Sequence, residues 1–414
     1  MMTIPLNRIL VICLILLHLL VGCTDGQAQT STCPEQTSTS SRSQNPLLEV
    51  DPLFRIVLNR KWGFIDSTGQ LRIKPQFNYV ENFSEKRAAF KSANGKWGFI
   101  DPNGQVIIQP QFDDVDFFFE QRAGVKIGGK WGFIDSGGKV IVKPQFAQVS
   151  RFLEQRAAVQ SGYQWGFIDL DGKFIVEPQF SAYTYFSSGL AGFGISKGNQ
   201  DKTGFIDRNG KVVIELQGMN ADLEGVGFTN GRAPVWMRSP GIWGIIDGIF
   251  DETGSGRKFW GFIDLSGRLA IPLKYDSAGG FSECLADVKI GSKWGFINTS
   301  GQMVIQPQFI DAPGSFYEGL AQVKINGKDG YIDKTGKVTI SPQFYFGTYF
   351  SEGFASVQLD SGGKWGIIDR TGKIVIQPQF DEPARFSKGL ALVKIGNKFG
   401  YIDKTGKYVW NPSN

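Results

Sequence analysis

Histidine is almost missing from this chain, which holds one, His18. That residue lies in an N-terminal stretch where the positive Arg8 precedes an apolar run from Ile9 to Val21. The run is shorter than the roughly 20 residues that a comfortable membrane span needs, and it reads as a cleaved targeting segment over residues 1–22. Removing it leaves a mature chain without imidazole, which excludes Ser-His-Asp and Cys-His catalysis and any His-ligated metal. Cysteine is scarce as well. Besides Cys13 and Cys23 there are Cys33 and Cys284, which form neither a disulfide framework nor a CxxC pair. Cys284 stands in Phe-Ser-Glu-Cys-Leu-Ala where other units carry Gly, so it reads as a small residue in a glycine position. Excess charge of one sign is also lacking. Lys and Arg number 44 against 39 Asp and Glu, which does not describe a polybasic nucleic-acid binder. No later apolar stretch is long enough to cross a membrane.

The targeting segment ends in Leu20-Val21-Gly22-Cys23. That tetrapeptide resembles the lipobox of bacterial lipoproteins, and the resemblance implies that Cys23 is lipidated and becomes the mature N-terminus. By the same analogy, Thr24 rather than Asp after the Cys implies outer-membrane delivery in a Gram-negative cell, or display at the cell surface. Residues 23–52 follow as a Ser/Thr-rich flexible tether. Thr24 to Pro46 holds no aromatic or large aliphatic side chain and cannot bury enough surface to fold. Its root-mean-square reach is about 25–30 Å.

What is abundant is one motif. Trp-Gly-Phe-Ile-Asp and its variants place glycines at Gly63, Gly98, Gly132, Gly166, Gly204, Gly261, Gly295, Gly330, Gly366 and Gly400. Most gaps are 34 to 36 residues, which marks a repeat array. The unit from Leu320 to Phe344 shows the logic. Leu320 to Ile325 alternates as a half-buried strand, Asn326-Gly327 signals a two-residue hairpin, and Gly330 to Asp333 is a second strand. Asp333-Lys-Thr-Gly336 is a turn whose Asp accepts backbone hydrogen bonds and whose Gly takes positive φ. Lys337 to Ile340 is a third strand, which Pro342 is expected to end. Each unit therefore reads as a three-stranded antiparallel meander with a return segment.

The Trp-Gly-Phe-Ile strand is apolar on both faces, with Trp62 and Phe64 on one side and Ile65 on the other. Such a strand needs cover on both sides, so neighbouring units must stack. The motif glycine is expected to make room for the neighbouring unit, and Trp97, Phe99 and Ile100 are expected in the core. Together, Lys-Trp-Gly-Phe-Ile-Asp, Asp-x-x-Gly-Lys, Ile-x-Pro-Gln-Phe and Phe-Ser-x-Gly-Leu-Ala-x-Val-Lys resemble the WG-repeat (KWG-repeat) family of bacterial proteins over about 350 residues. The resemblance implies β-repeat architecture without implying a reaction. Thr203, Asp329 and Phe399 depart from it by replacing the Trp.

The fold expectation is all-β, with tandem three-stranded units over residues 53–412 in an open, solenoid-like array. Propeller-like closed rings are the alternative. Ten units exceed the usual four to eight blades, and three strands fall short of a blade's four. The period breaks once, between Gly204 and Gly261, where an irregular insertion lies around 238–259.

The turn aspartates, such as Asp66, Asp101 and Asp135, read as caps rather than a calcium ladder, because calcium wants six to eight oxygens. No cofactor or metal is expected. The candidate binding residues fall in the non-repeated stretch: Trp236, Arg238, Trp243, Asp247 and Asp251. The expected function is a non-enzymatic, lipid-anchored envelope scaffold that binds a protein. Cell-wall carbohydrate bound by exposed aromatics is one alternative. A His-free glycosidase using paired Asp and Glu is another, although nothing in the spacing shows such a pair.

Overall fold

The computed structural model describes residues 52–197, 200–221, 227–238 and 257–413. The targeting segment, Cys23, nearly all of the tether and most of the insertion lie outside the described residues.

Local chemistry sets each unit. Leu320–Ile325 pairs antiparallel with Lys328–Asp333, with Val323 opposite Gly330. Between them Asn326 and Gly327 both take positive φ, 52° and 76°, as the hairpin turn that matches strand twist requires. At the other end the Gly336 amide donates to the Asp333 carbonyl at 2.9 Å. One Asp333 carboxylate oxygen accepts from the Thr335 and Lys337 amides at 2.9 and 3.1 Å. The same cap recurs in every unit, from Asp66 to Asp403, with Asn298 filling the role once. These oxygens are committed to backbone amides, which is why the aspartates cap turns.

The third strand departs from expectation. Val338–Phe344 runs on through Pro342 instead of ending there. Its register shifts: Tyr331 faces Ile340, but Asp329 faces Phe344. The extra residues form a bulge, where a residue without an N–H is tolerated. The bulge presses the Ile340 carbonyl onto Gly330, so that a Cβ there would lie within 3 Å of it. All ten motif glycines meet a third-strand carbonyl in this way. The glycine is therefore required by its own sheet, not by the neighbouring unit.

The return segment also proves to be structured. Two residues after Pro-Gln-Phe, such as Tyr79–Val80, pair with the next unit's first long strand, opposite Lys91 and Phe90. Eight of the ten sheets are thus four-stranded meanders, and two have three strands. The three-stranded unit is corrected accordingly; a strand of two residues leaves too short a pattern to read from sequence.

Each sheet packs its Trp-Phe face on the Ile face of the next. Phe99, Ile108 and Phe112 meet Phe118, Ala123, Val125 and Ile134 of the following sheet. Nine interfaces are built this way. A tenth joins Ile56 and Ile65 of the first sheet to Leu390 and Tyr401 of the last. The Ser413 hydroxyl donates to the Val57 carbonyl across the same junction at 2.5 Å, and Tyr401 meets Phe54 edge-on at 5.4 Å. The array is therefore one closed ten-bladed propeller, and the open solenoid is overturned. Closure covers the sheet faces that an open array leaves bare at its two ends.

Phe99 and Ile100 are fully buried, as expected. Trp97 is partly buried and packs against the same core cluster as Phe99. It is the first residue after the hairpin tip, at the end of its sheet, and the cross-strand Lys91 ammonium sits 5.4 Å from its ring centre. Lys126 over Trp131 and Lys289 over Trp294 repeat the arrangement.

Candidate functional sites at the blade 6 hairpin and the ring seam

Counting the sheets from the N-terminus, blade 6 carries the described candidate residues. Arg232–Arg238 pairs with Lys258–Asp264, and Arg238 lies directly opposite Lys258. Residues 239–257 therefore connect two paired strands. Trp236 faces Trp260 across the pair, with ring centres 6.3 Å apart. In blades 2, 3 and 7 a lysine occupies the position of Trp236. Here two cations flank the ring: Lys258 Nζ at 4.3 Å and the Arg238 guanidinium at 5.7 Å from its centre. Beside them Arg257 is ion-paired with Asp276, whose other oxygen accepts from the Gly291 amide at 2.6 Å. Trp236 and Arg238 are thus brought together with the motif Trp260 and with Lys258, neither of which the sequence placed among the candidate binding residues of the non-repeated stretch. Trp243, Asp247 and Asp251 lie outside the described residues.

A second site was missed altogether. In eight interfaces a Phe from the following blade's entry loop sits against the motif aromatic, as Phe118 does on Phe99 at 4.9 Å and Phe350 on Tyr331 at 5.0 Å. Phe386 fills the ninth. At the seam between blades 10 and 1 the corresponding position falls near residue 49, outside the described residues. A cavity of about 400 Å³ lies at this seam. Its floor is Leu53, Phe54, Leu390, Leu392 and Tyr401, and Arg55, Lys86, Arg385 and Lys388 stand around it.

The cations have different commitments. Arg55 donates to Glu81 at 2.9 Å and to the Val80 carbonyl at 3.3 Å. Arg385 stacks on Tyr349 at 4.7 Å. Lys86 and Lys388 have no ion pair among the described residues. The origin of Lys388 is visible in the repeat. In six other blades this turn position is a glutamate, with Ser188 and Asn230 in blades 5 and 6, and the glutamate reaches the next blade's turn amides: Glu318 accepts from Glu352 and Gly353 at 2.6 and 2.9 Å, and Glu352 from Lys388 and Gly389 at 2.5 and 3.0 Å. In blade 10 the relay ends in a lysine at the cavity lip. Glu85, the carboxylate among the lining residues, is turned to the Glu120 and Gln121 amides at 2.8 and 2.7 Å. Burial pushes the Tyr401 hydroxyl up to about 12, so at neutral pH it is a neutral donor.

Two further groups stand out. Burial raises the Asp287 carboxyl to about 6. Cys284 keeps a glycine-like φ of 72°, as a small residue in that turn should, but it is also disulfide-bonded. Among the described residues no group of three or more Asp, Glu, Cys or His is placed to hold a metal.

No curated protein matches the chain. Among solved structures, BamB from Moraxella catarrhalis is 11% identical with a TM-score of 0.35, covering 86% of this chain and 98% of its own. Porphyromonas gingivalis dipeptidyl peptidase 4 is 10% identical with a TM-score of 0.41, covering 80% of this chain and 58% of its own. Likeness at this level carries no functional argument. The family model for the WG containing repeat matches nine times, at residues 62–97, 97–131, 131–164, 165–195, 204–217, 260–294, 294–328, 330–364 and 365–399. With the motif strands, capped turns and blade interfaces in place, the chain belongs to the WG-repeat family.

Proposed function

We propose that this protein is a non-enzymatic ring scaffold, held on the bacterial envelope through lipidated Cys23, that binds a protein partner. The observation that carries the reading is the root of the blade 6 hairpin. There Trp236 and Trp260 replace the repeated Lys–Trp pair, and Lys258 and Arg238 flank the half-buried Trp236 ring. Aromatic residues and arginine are the side chains enriched where proteins bind proteins. The lipobox-like tetrapeptide supports the anchor, and the tether supplies reach. The test is photo-cross-linking from position 236 in the producing cells, followed by capture of the mature protein. A discrete cross-linked protein that disappears with Lys258→Glu supports the reading; no adduct from position 236 counts against it.

The half-buried Trp row favours a second reading, in which Trp97, Trp131 and Trp294 offer ring edges to cell-wall polysaccharide. Quenching of tryptophan fluorescence by purified glycan, without a protein adduct, would select it.

A further inference from the structure

The seam has what a receptor for a short peptide needs, and the geometry points to an acidic segment of a partner protein as its occupant, with one large apolar side chain entering the cavity. This rests on the protein-binding reading but assigns a different surface, on the rim opposite the hairpin tips. In a meander, alternate connections lie at opposite ends. The blade 6 hairpin is therefore at one rim, and the Lys86 and Lys388 turns are at the other.

Three observations converge. The seam holds a cavity with an apolar floor of Phe54, Leu390 and Leu392 beside Tyr401. Its volume of about 400 Å³ lies within the range of ligand pockets and suits one or two large side chains. The lip is cationic. Lys86 and Lys388 carry no ion pair among the described residues, and Glu85 is engaged with backbone amides. Carboxylates flanking the apolar residue meet those ammonium groups. The surface then continues past the lip. Arg385 stacks on Tyr349, and Tyr349 on Tyr317 at 4.7 Å and 34°, with both tyrosines exposed. A row of two tyrosines and an arginine is contact area of the kind that carries protein–protein affinity, and its Arg385 end lines the cavity. A peptide that anchors at the seam can run along this row.

The experiment is fluorescence polarisation with the full mature protein and a fluorescein-labelled peptide, Asp-Glu-Leu-Leu-Asp-Glu. The controls are Lys-Lys-Leu-Leu-Lys-Lys and Asp-Glu-Ser-Ser-Asp-Glu. Binding of the first peptide, at least tenfold tighter than either control, is expected. Lys388→Glu and Leu392→Asp should each weaken it tenfold or more, while Tyr163→Ala, at an exposed hairpin tip of blade 4, leaves it unchanged. Leu392 is 41% exposed, so its variant should fold, and thermal melting verifies this. Equal affinity for the lysine peptide, or no loss in either folded seam variant, overturns the inference. So does peptide binding that appears only after Leu47→Asp with Leu48→Asp, because the cavity then belongs to the chain's own residues before Pro52. If the cross-link from position 236 persists while the seam peptide fails to bind, the inference falls and the scaffold reading stands.

Discussion

The Tyr401 hydroxyl donates to the Arg55 carbonyl at 3.0 Å, joining residues 346 positions apart in sequence. This bond closes the ring together with the Tyr401–Phe54 ring contact. Tyr401→Phe keeps the aromatic packing and leaves a carbonyl without its donor, so it should cost about 1 kcal/mol. Tyr401→Ala also removes a buried ring and should cost about 3–5 kcal/mol. Urea unfolding of both variants checks the split. Equal losses would mean that the ring contact contributes nothing to closure.

Among the described residues, the seam buries fewer large side chains than the other interfaces, and local opening starts where buried apolar contact is least. Amides of Phe54–Leu58 and Lys398–Asp403 should therefore exchange with deuterium before those of Arg122–Ile127 and Lys130–Asp135. Phe118→Ala, which empties an interior interface, should cost about 3–5 kcal/mol. It should also raise exchange in blades 2 and 3 ahead of the rest. Uniform exchange around the ring would show that no interface is weaker than its neighbours.

Asp287 gives a pH prediction. Its position facing Phe296 is Ala, Gly or Ser in several other blades, and burial raises its carboxyl to about 6 from an ordinary 3.8. An acid raised on folding stays protonated in the native state while the unfolded chain ionises. The penalty is absent below pH 3.8, grows between about 4 and 6, and is complete above 6. Asp287→Asn should therefore raise stability by about 2–3 kcal/mol at pH 7 and leave it unchanged at pH 3.5. Melting curves across that interval check it. A difference between the two proteins that is the same at both ends would rule out titration as the cause.

Much of this architecture was legible because the repeat states it ten times. The Asp333 turn, the Asn326-Gly327 hairpin and the burial of Phe99 and Ile100 follow from backbone chemistry and strand alternation, which are local. The parts that were not legible are non-local. Tyr79–Val80 is a strand only because another strand lies beside it. Pro342 stays in its strand because a bulge absorbs the missing donor. Trp97 is half-buried because it lies beside a hairpin tip. Closure depends on Tyr401 finding Arg55, and unit counts pointed away from it. The seam site shares that origin, since its residues come from the two ends of the array. Trp236 was legible as a break in the repeat, but its partners Trp260 and Lys258 sit within a regular unit and look ordinary in sequence.

The motif glycine offers the sharpest separation between two accounts of the repeat. If Gly98 made room for the adjacent blade, a methyl there would be accommodated by trimming that blade. The structure instead puts the Ile108 carbonyl and the Pro110 nitrogen within 3 Å of a Cβ at Gly98. Both are backbone atoms of the same sheet, held by the bulge that lets Pro110 stay in the strand. They cannot rotate away as a side chain would, so Gly98→Ala must open the bulge or distort the Trp97–Phe99 pairing. A loss of about 2–4 kcal/mol is expected, in the range of overpacking with backbone displacement. Gly95→Ala is the control. Its φ is +82° but a Cβ there meets nothing within 4 Å, so the cost is conformational, about 1 kcal/mol. Combining Gly98→Ala with Phe77→Ala, which trims the aromatic that blade 1 packs on Phe90, should not restore stability. Recovery in that double variant, measured by urea unfolding, would return the glycine's role to the neighbouring blade.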